Sequence, residues 1–227
     1  ADMIRRDFVA NVSHELRTPL TAIRGYVEAL ADADPEESRR FLEIVARHTM
    51  RMERLVRDLL RLARLEGGQE ILERVPCSVD ALFTAVETDL AVVMQSRRLR
   101  VEREIGSVAA AVQGDPAKLQ DALRNLLENA ANHSPEGGRI VMASRREGAR
   151  VLISITDEGP GVPPADLKRI FERFYRVDKS RTRDGKDPGG TGLGLSIVKH
   201  LVELHGGRVS AVNRPQRGAV FTIDLPA

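Results

Sequence analysis

Apolar residues recur at spacings of three and four over residues 8–30, and this pattern limits the possible folds more than any other feature of the chain. Such spacing places the side chains on one face of an α-helix. A second run follows the stretch ADADPEES, where the spacing alternates between four and three through three heptads. Two long amphipathic helices with a short connection predict an antiparallel helical hairpin. The runs are Phe8, Val12, Leu16, Leu20, Ile23, Val27 and Leu30, then Phe41, Val45, His48, Met52, Leu55, Leu59 and Leu62.

One hairpin cannot bury both apolar rows well, whereas two copies can bury them in a four-helix bundle. The sequence therefore predicts a homodimer. His48 lies in the second row and is interpreted as a buried or interhelical polar residue. His200 and His205, near the end of the chain, are interpreted as structural or exposed.

Composition excludes several classes of protein. The 227 residues are 42% hydrophobic and 30% charged, which is typical of a soluble globular chain. A net charge of +2, from 35 basic and 33 acidic residues, gives no electrostatic reason to expect a nucleic-acid partner. Cys77 is the only cysteine, which excludes a disulfide framework and a cysteine-based zinc site and fits a reducing compartment.

The sequence contains neither a signal peptide nor an apolar run approaching the ~20 residues that span a bilayer. It begins with ADMIRRDF, which lacks an initiator Met and is already close to the helical pattern. We therefore expect the chain to be a fragment of a longer protein.

The pattern changes after the glycines of LEGGQE. Short strands in EILERVPCSV and LRVEREI flank a predicted helix over residues 79–96, and Pro116 directly after Asp115 predicts the start of another helix. Residues 138–159 and 207–226 predict two β-hairpins, with a helix over residues 192–205 between them. Mixed helices and antiparallel strands predict an α+β domain, whose strand order the sequence does not define.

His14 lies about 180° from the middle of the first apolar row, and Thr18 lies on the same outer face one turn further along. This position argues against a core histidine. Two interpretations remain, an exposed residue without a function and a nucleophile, and the spacing alone favours the first.

Two glycine-bearing stretches lie in the second half of the chain. DEGPGVP follows a predicted strand, and GGTGLGLSIVKHL runs from a loop into a helix. Glycine lets a backbone approach a ligand closely, and the N–H groups at a helix start favour phosphate. The second stretch lacks the Gly-Lys-Ser/Thr of a Walker loop and the βαβ context of a dinucleotide site. Each stretch taken alone also fits an ordinary turn.

The segment between these stretches is basic, so it is able to cover phosphates, although an ordinary solvated loop has the same composition. Three of the eight aromatic residues of the chain, Phe171, Phe174 and Tyr175, crowd at its start, which predicts that this part docks on the domain. The basic residues are Arg173, Arg176, Lys179, Arg181, Arg183 and Lys186.

Asn125, Asn129 and Asn132 fall on one face of the predicted helix that begins near Asp115. Asparagine is a mediocre helix former, so three on one face are costly unless they bind something. Neutral oxygens suit Mg²⁺, which keeps several waters and is completed by nucleotide phosphates. The face therefore predicts a magnesium–nucleotide site.

The order of these features resembles the sensor histidine kinases of two-component systems. A histidine in SHELRTPL is followed by an asparagine-rich helix, DEGPG, FERFYR and GGTGLGL, and the resemblance covers nearly all 227 residues. The segment from GPGVP to VELHGG looks most like the phosphate-sensing branch. The resemblance implies a dimerisation and histidine phosphotransfer domain at residues 1–66, a linker at 67–70, and a catalytic domain with the Bergerat-type ATP-binding sandwich at 71–227.

The resemblance also implies roles on the hairpin. His14 would accept the γ-phosphoryl group of ATP, and Glu15 would orient and deprotonate its imidazole. Thr18 would help a bound response regulator to lose its phosphoryl group. The implied partners are a second copy of the chain and the receiver domain of a response regulator. The fragment would be cytoplasmic, and the full-length protein would be anchored in the inner membrane by a preceding sensor region.

In the second domain, the resemblance implies that Asn129 holds Mg²⁺, that Asn125 lies beside the phosphates, and that Asp157 accepts a hydrogen bond from the exocyclic amine of adenine. The other residues implied for the nucleotide site are His133, Gly159, Gly161, Arg176, Gly190, Thr191, Gly192, Leu193 and Gly194.

The chain departs from the family pattern at two positions. Asn132 and His133 stand where many members have a basic and an aromatic residue, which puts a cationic phosphate contact from that turn in doubt. Asn125 stands where ATPases of the same fold have a glutamate that activates water, and asparagine cannot act as a general base. Two alternatives to a kinase remain, an ATPase of this fold and a dimeric pseudokinase that binds nucleotide without transferring phosphate.

Overall fold

The computed structural model describes residues 2–177 and 190–227. Its first part is the predicted antiparallel hairpin, formed by helices α1 (Asp2–Ala29) and α2 (Pro35–Glu66). Glu15 faces Arg51 across the hairpin, and the rings of Tyr26 and Phe41 are 5.4 Å apart. Among the described residues, no helix combines the length and the apolar character that crossing a bilayer requires.

A capping box starts α2. The side chain of Asp34 accepts hydrogen bonds from the N–H groups of Glu36 and Glu37 at 2.9 and 2.8 Å, and the carboxylate of Glu37 accepts the N–H of Asp34 at 3.2 Å. Pro35 occupies the first helical position, where its missing N–H costs nothing.

The hairpin keeps part of its apolar surface exposed. All seven residues of the predicted α2 row are buried or half-buried in a single chain, including His48. In contrast, Leu20 and Val27 of the α1 row are each 52% exposed. The flank of α2 next to this row adds further exposed apolar side chains, at Leu42, Val56 and Leu60.

The second part is an α+β sandwich, as predicted. Its elements are β1 (Val75–Ser78), α3 (Val79–Asp89), α4 (Ala91–Ser96), β2 (Arg100–Ile105), β3 (Ala111–Gly114), α5 (Pro116–His133), β4 (Arg139–Glu147), β5 (Arg150–Thr156), α6 (Gly194–Leu204), β6 (Arg208–Asn213) and β7 (Ala219–Pro226). The five-stranded sheet has the order β2-β4-β5-β7-β6, in which β2 and β4 are parallel and the other neighbours are antiparallel. Strands β1 and β3 form a separate two-stranded sheet.

The core of this domain lies between one face of the sheet and the helices α3, α5 and α6, which pack on one another. Alternate residues of the central strands are buried, as expected for a sheet that is covered on one face. The largest of them include Ile140, Met142, Ile153, Ile155, Phe221 and Ile223.

The predicted helix over residues 79–96 is wrong in one respect, because the chain leaves helical geometry at Leu90 and forms two helices. Leu90 has φ −107° and ψ 10°, and its side chain is only 3% exposed. The turn allows Leu90 and Met94 to face the core together, and the Met94 N–H still donates to the Leu90 carbonyl at 2.9 Å.

The hairpin and the sandwich domain share apolar packing. Leu55 and Leu62 of α2 are 3% and 0% exposed and belong to the same continuous cluster of buried residues as the sandwich core. Arg61 adds ion pairs with Glu70 at 2.8 Å and with Asp121 of α5 at 3.2 Å. The end of α2 is therefore packed against the sandwich domain.

Candidate nucleotide and phosphotransfer site

Helix α5 carries the predicted asparagine face. Its first turn is capped by Asp115, whose Oδ1 accepts the N–H of Lys118 at 3.1 Å. The apolar face of the helix is buried in the core, so that Asn125, Asn129 and Asn132 are turned away from it and remain half-buried. The structure therefore brings the three amides to one side of the helix.

The two central asparagines differ in their contacts. The Nδ2 of Asn125 donates to the carbonyl of Asp121 at 2.9 Å. The side chain of Asn129 makes no hydrogen bond within residues 2–177 and 190–227, so its amide oxygen is available to a cation. In the same residues, no cluster of three His, Cys, Asp or Glu side chains could hold a metal. Asn129 thus fits Mg²⁺ only as a single protein ligand, with water and phosphate oxygens completing the ion's coordination.

Asp157 follows β5 and is 3% exposed. Its Oδ1 accepts the N–H groups of Gly159 at 2.8 Å and Ala219 at 3.2 Å. Burial raises the pKa of this carboxyl. The two hydrogen bonds lower it, and so do the nearby side chains of His133 and Arg214. Its Oδ2 accepts no hydrogen bond from the described residues, so it can accept one from a ligand amine.

The loop after Asp157 is fixed by a residue that the sequence did not indicate. The Oδ1 of Asn213 accepts the N–H of Val162 at 2.8 Å, and its Nδ2 donates to the Val162 carbonyl at 2.6 Å. This pair of hydrogen bonds fixes the chain next to Gly161, so that the predicted pocket residues Gly159 and Gly161 lie on a held loop.

The glycine segment, residues 190–194, contacts both α5 and the aromatic segment, residues 171–175. Gly192 has φ +72°, and a Cβ there would lie 2.9 Å from the Cα of Phe174. A Cβ on Gly194 would lie 2.9 Å from the Oδ1 of Asn125. Gly192 therefore needs glycine, because its φ is positive and the contact is with backbone, whereas at Gly194 the Asn125 side chain would have to shift. Within the segment, Thr191 and Leu193 are buried and Gly190 is exposed.

The remaining predicted nucleotide residues are His133 and Arg176. His133 is exposed at the end of α5, and Arg176 is half-buried. The predicted lid residues Lys179, Arg181, Arg183 and Lys186 lie outside the described residues. Arg97, which the sequence did not indicate, donates to the carbonyls of Asn132 at 2.9 Å and Ser134 at 2.7 Å and thereby fixes the end of α5.

The aromatic segment docks on both parts of the molecule. The ring of Phe171 packs edge-on against Phe221 of the sheet, at 6.4 Å between centroids. The ring of Phe174 lies 5.9 Å from that of Phe8 in α1, and Arg173 pairs with Glu66 of α2 at 3.1 Å.

On the hairpin, His14 is exposed on the outer face of α1, as the apolar spacing predicted. Glu15 is half-buried toward α2, where its carboxylate pairs with Arg51 at 3.3 Å. Thr18 is exposed, and its hydroxyl donates to the carbonyl of His14 at 3.3 Å. No hydrogen bond joins the side chains of His14 and Glu15 in the structure of the described chain.

The structure gathers the predicted nucleotide residues into one region, and it keeps the predicted hairpin residues apart from them. The sandwich domain contacts the hairpin at Phe8, six residues before His14, which is about 9 Å along a helix axis. On α2 it contacts Asp58, whose Oδ2 accepts the hydroxyl of Thr191 at 2.7 Å. Asp58 carries no motif that would have identified this contact from the sequence.

Comparison with known proteins identifies both parts of the chain. Residues 4–68 match the His Kinase A (phospho-acceptor) domain, and residues 114–227 match the family of histidine kinase-, DNA gyrase B- and HSP90-like ATPases.

The chain is 41% identical over 225 residues to the sensor-like histidine kinase SenX3 of Mycobacterium bovis, covering 98% of this chain and 54% of SenX3. It is 39% identical over 224 residues to the phosphate regulon sensor protein PhoR of Pseudomonas aeruginosa, covering 97% of this chain and 50% of PhoR, which is consistent with the predicted phosphate-sensing branch. The chain thus spans about half the length of these curated relatives.

The fold is similar to that of the histidine kinase ThkA, solved in complex with the response regulator protein TrrA. The TM-score is 0.79 and the identity 26%, over 97% of this chain and 61% of ThkA. With two family domains in the expected order and relatives at about 40% identity over nearly its whole length, the chain belongs to the sensor histidine kinases of two-component systems.

Proposed function

We propose that this chain uses ATP to phosphorylate itself on His14 and then passes the phosphoryl group to an aspartate of a response regulator. The observation that carries the proposal is the exposure of His14 on the outer face of α1, while Val12 and Leu16 on either side of it are half-buried. A neutral imidazole is nucleophilic near pH 7, because its ordinary pKa is about 6.5. The finding that ThkA forms a complex with a response regulator supports the choice of partner.

In the proposed reaction, the Oδ2 of Asp157 accepts a hydrogen bond from the exocyclic amine of adenine, and Asn125 lies beside the phosphates. An imidazole nitrogen of His14 forms a bond to the γ-phosphorus while the bond to the β-phosphate bridging oxygen breaks, and ADP leaves. Glu15 takes the proton of the imidazole. Phosphoryl transfer needs mainly positioning and charge stabilisation. Mg²⁺ on Asn129 would neutralise the phosphate oxygens when bound.

The proposal extends to the assembly and to the reverse activity. Residues 1–66 would form the dimerisation and phosphotransfer domain and residues 71–227 the catalytic domain, in a homodimer. Thr18 would position a water that removes the phosphoryl group from the bound regulator. Asn125 supports a kinase over an ATPase, because an asparagine cannot activate water as a general base.

ATP labelled on the γ-phosphate tests the proposal. The chain should give a phosphoprotein that is labile in acid and stable in base. His14→Gln should abolish labelling without changing nucleotide affinity, whereas His48→Gln, on the same hairpin, should keep it. Asn129→Ala should weaken nucleotide binding in the presence of Mg²⁺ and bring it near the affinity measured with EDTA.

Three outcomes would contradict the proposal. Free phosphate without labelled protein indicates an ATPase. Nucleotide binding without either product indicates a pseudokinase. A base-stable label that persists in His14→Gln removes His14 as the acceptor.

A further inference from the structure

Asp58 and Thr191 form a hydrogen bond between the hairpin and the glycine segment. The Thr191 hydroxyl donates to the Asp58 Oδ2 at 2.7 Å, and the same hydroxyl accepts the N–H of Leu193 at 3.3 Å. Thr191 is only 6% exposed. The contact therefore attaches α2 to a buried residue of the segment that is proposed to bind phosphate.

Two ion pairs between α2 and α5 accompany this hydrogen bond. Arg54 pairs with Glu128 at 3.2 Å, and Arg61 pairs with Asp121 at 3.2 Å. Both pairs have partly exposed members, so that each contributes little to holding the domains together. The hydrogen bond of Asp58, whose donor Thr191 is buried, is thus the most specific of these three contacts.

Along the axis of the hairpin, the contact between Asp58 and Thr191 lies away from His14. Glu15 faces Arg51, and Asp58 lies seven residues beyond Arg51 on α2, which is about 10 Å along the helix axis. Phe8, on α1, marks the same level through its contact with Phe174. Arg54, which pairs with Glu128 of α5, lies only three residues beyond Arg51, so the contacts with the sandwich domain extend from near the level of Glu15 to that of Asp58. The glycine segment lies at the level of Asp58, so movement of the sandwich domain toward His14 would break the bond between Asp58 and Thr191.

The local charges give nucleotide a means to break the contact. A phosphate that binds at the glycine segment brings negative charge close to the Asp58 carboxylate, and like charges at short range repel each other strongly where water is partly excluded. Burial raises the pKa of the Asp58 carboxyl, whereas the hydrogen bond from Thr191 and the nearby Arg54 and Arg57 act in the opposite direction.

We propose that the hydrogen bond between Asp58 and Thr191 is a latch that holds the sandwich domain away from His14 and is released when nucleotide phosphates occupy the glycine segment. This inference rests on the proposed kinase function. It adds a residue of the hairpin that restrains the reaction without touching the substrate.

The test compares wild type with Asp58→Ala, which removes the acceptor, and with Asp58→Asn, which keeps an amide oxygen in its place. Glu53→Ala is the matched control, because Glu53 is exposed on the same helix and makes no hydrogen bond or ion pair within the described residues. Amide hydrogen exchange of residues 54–62 and 190–197 reports docking. The initial rate of autophosphorylation and the nucleotide Kd are measured on the same samples.

Asp58→Ala should speed amide exchange in both segments and raise the initial rate about fivefold or more, as expected for loss of a hydrogen bond to a charged group. It should also tighten nucleotide binding, because linkage makes the coupling between nucleotide and docking reciprocal. Asp58→Asn should fall between wild type and Asp58→Ala, and Glu53→Ala should equal wild type.

Unchanged exchange and rate in Asp58→Ala would overturn the latch, and so would a lower rate, since the contact would then belong to the productive arrangement. If the wild type forms no phosphohistidine, the kinase proposal fails, and the exchange data with and without nucleotide still decide whether Asp58 holds the glycine segment.

Discussion

Glu15 and His14 are neighbours in the chain, yet in this structure each side chain has different surroundings. Glu15 is held by Arg51 across the hairpin, while His14 is exposed. An ion pair with partly exposed members contributes about 1 kcal/mol or less, so the carboxylate can leave Arg51 at small cost. Glu15, the proposed base, is therefore paired with Arg51 and not with His14 while the sandwich domain is docked.

Thr18 should act on the regulator and not on the kinase step. Its hydroxyl lies one turn beyond His14 on the same exposed face, and while it donates to the His14 carbonyl its lone pairs can accept a hydrogen bond from water. Thr18→Ala should keep autophosphorylation and slow the loss of phosphate from a phosphorylated regulator about tenfold. Thr18→Ser, which keeps the hydroxyl, should resemble wild type.

The measurement is the decay of pre-phosphorylated regulator mixed with each variant, ADP and Mg²⁺. If wild type speeds the decay and Thr18→Ala speeds it equally, Thr18 is not the residue that positions water.

Single-residue features were predictable where they depend on local spacing. The apolar row predicted that His14 faces outward, and helical spacing predicted that Asn125 and Asn129 share a face. The contact between Asp58 and Thr191 joins residues 133 positions apart in the chain. Neither residue interrupts a local pattern, so only the packing of the two domains reveals their contact.

Helices α5 and α6 are joined by a buried histidine. His205 is 1% exposed; its Nε2 accepts the N–H of Asp115 at 3.0 Å, and its Nδ1 bonds the Leu201 carbonyl at 2.7 Å. Because the Asp115 N–H can only donate, Nε2 must be unprotonated and Nδ1 must carry the hydrogen. A neutral imidazole thus connects the start of the helix with the asparagine face to the end of the helix that follows the glycine segment.

This arrangement predicts a loss of stability in weak acid. Burial lowers the pKa of His205, so below the ordinary pKa of about 6.5 the unfolded chain binds a proton that the folded chain does not. The unfolding free energy should then fall as the pH falls, by up to about 1.4 kcal/mol per pH unit from this one group.

Chemical denaturation at pH 7.5 and 5.5 checks the prediction. His205→Gln will have lower stability at both pH values but should show a smaller decrease between them. His200→Gln is the matched control, because His200 is half-buried beside Glu66 at the surface of the same helix. An equal decrease in wild type and His205→Gln would exclude His205 as the source. Burial also lowers the pKa of His48, but its contribution to the decrease in stability is the same in wild type, His205→Gln and His200→Gln.

At the level of elements, sequence signals were reliable where a cap or a long period was present. Apolar spacings of three and four predicted α1, the heptads predicted α2, and Pro116 after Asp115 predicted α5. Strand β3 was not predicted, because it is only four residues long and follows a run of alanines without alternation. The parallel pairing of β2 with β4 was not predictable either, since it brings together strands that are separated in the chain by β3 and α5.

The whole molecule has apolar surface that a single chain does not cover. Val56 and Leu60 of α2 are 45% and 56% exposed, and Leu20 and Val27 of α1 are each 52% exposed. Leu55, in contrast, is already buried within one chain. The residues that a second copy would cover are therefore the exposed ones, and they are the appropriate targets for testing the predicted homodimer.

The double variant Val56→Glu and Leu60→Glu should convert a dimer into a monomer, because burying unpaired charge in a four-helix bundle is costly. Sedimentation equilibrium at micromolar concentration measures the mass, and Arg39→Glu, at an exposed position near the start of α2, should leave the dimer intact. A monomeric wild type, or a dimer that survives both glutamates, would contradict the bundle.

Leu55 and Leu62, which complete a core shared with the sandwich domain, also determine how such kinases can be recombined. The phospho-acceptor family match ends at residue 68, close to the end of α2. In a chimera joined there, Leu55 and Leu62 would come from one parent and the sandwich core that they contact from the other. Asp58 and Arg61 would likewise come from a different parent than the residues that they contact. The second half of α2 is better inherited with the ATP-binding part, so a chimera that exchanges the two parts of this chain should be joined inside the helix, upstream of Leu55.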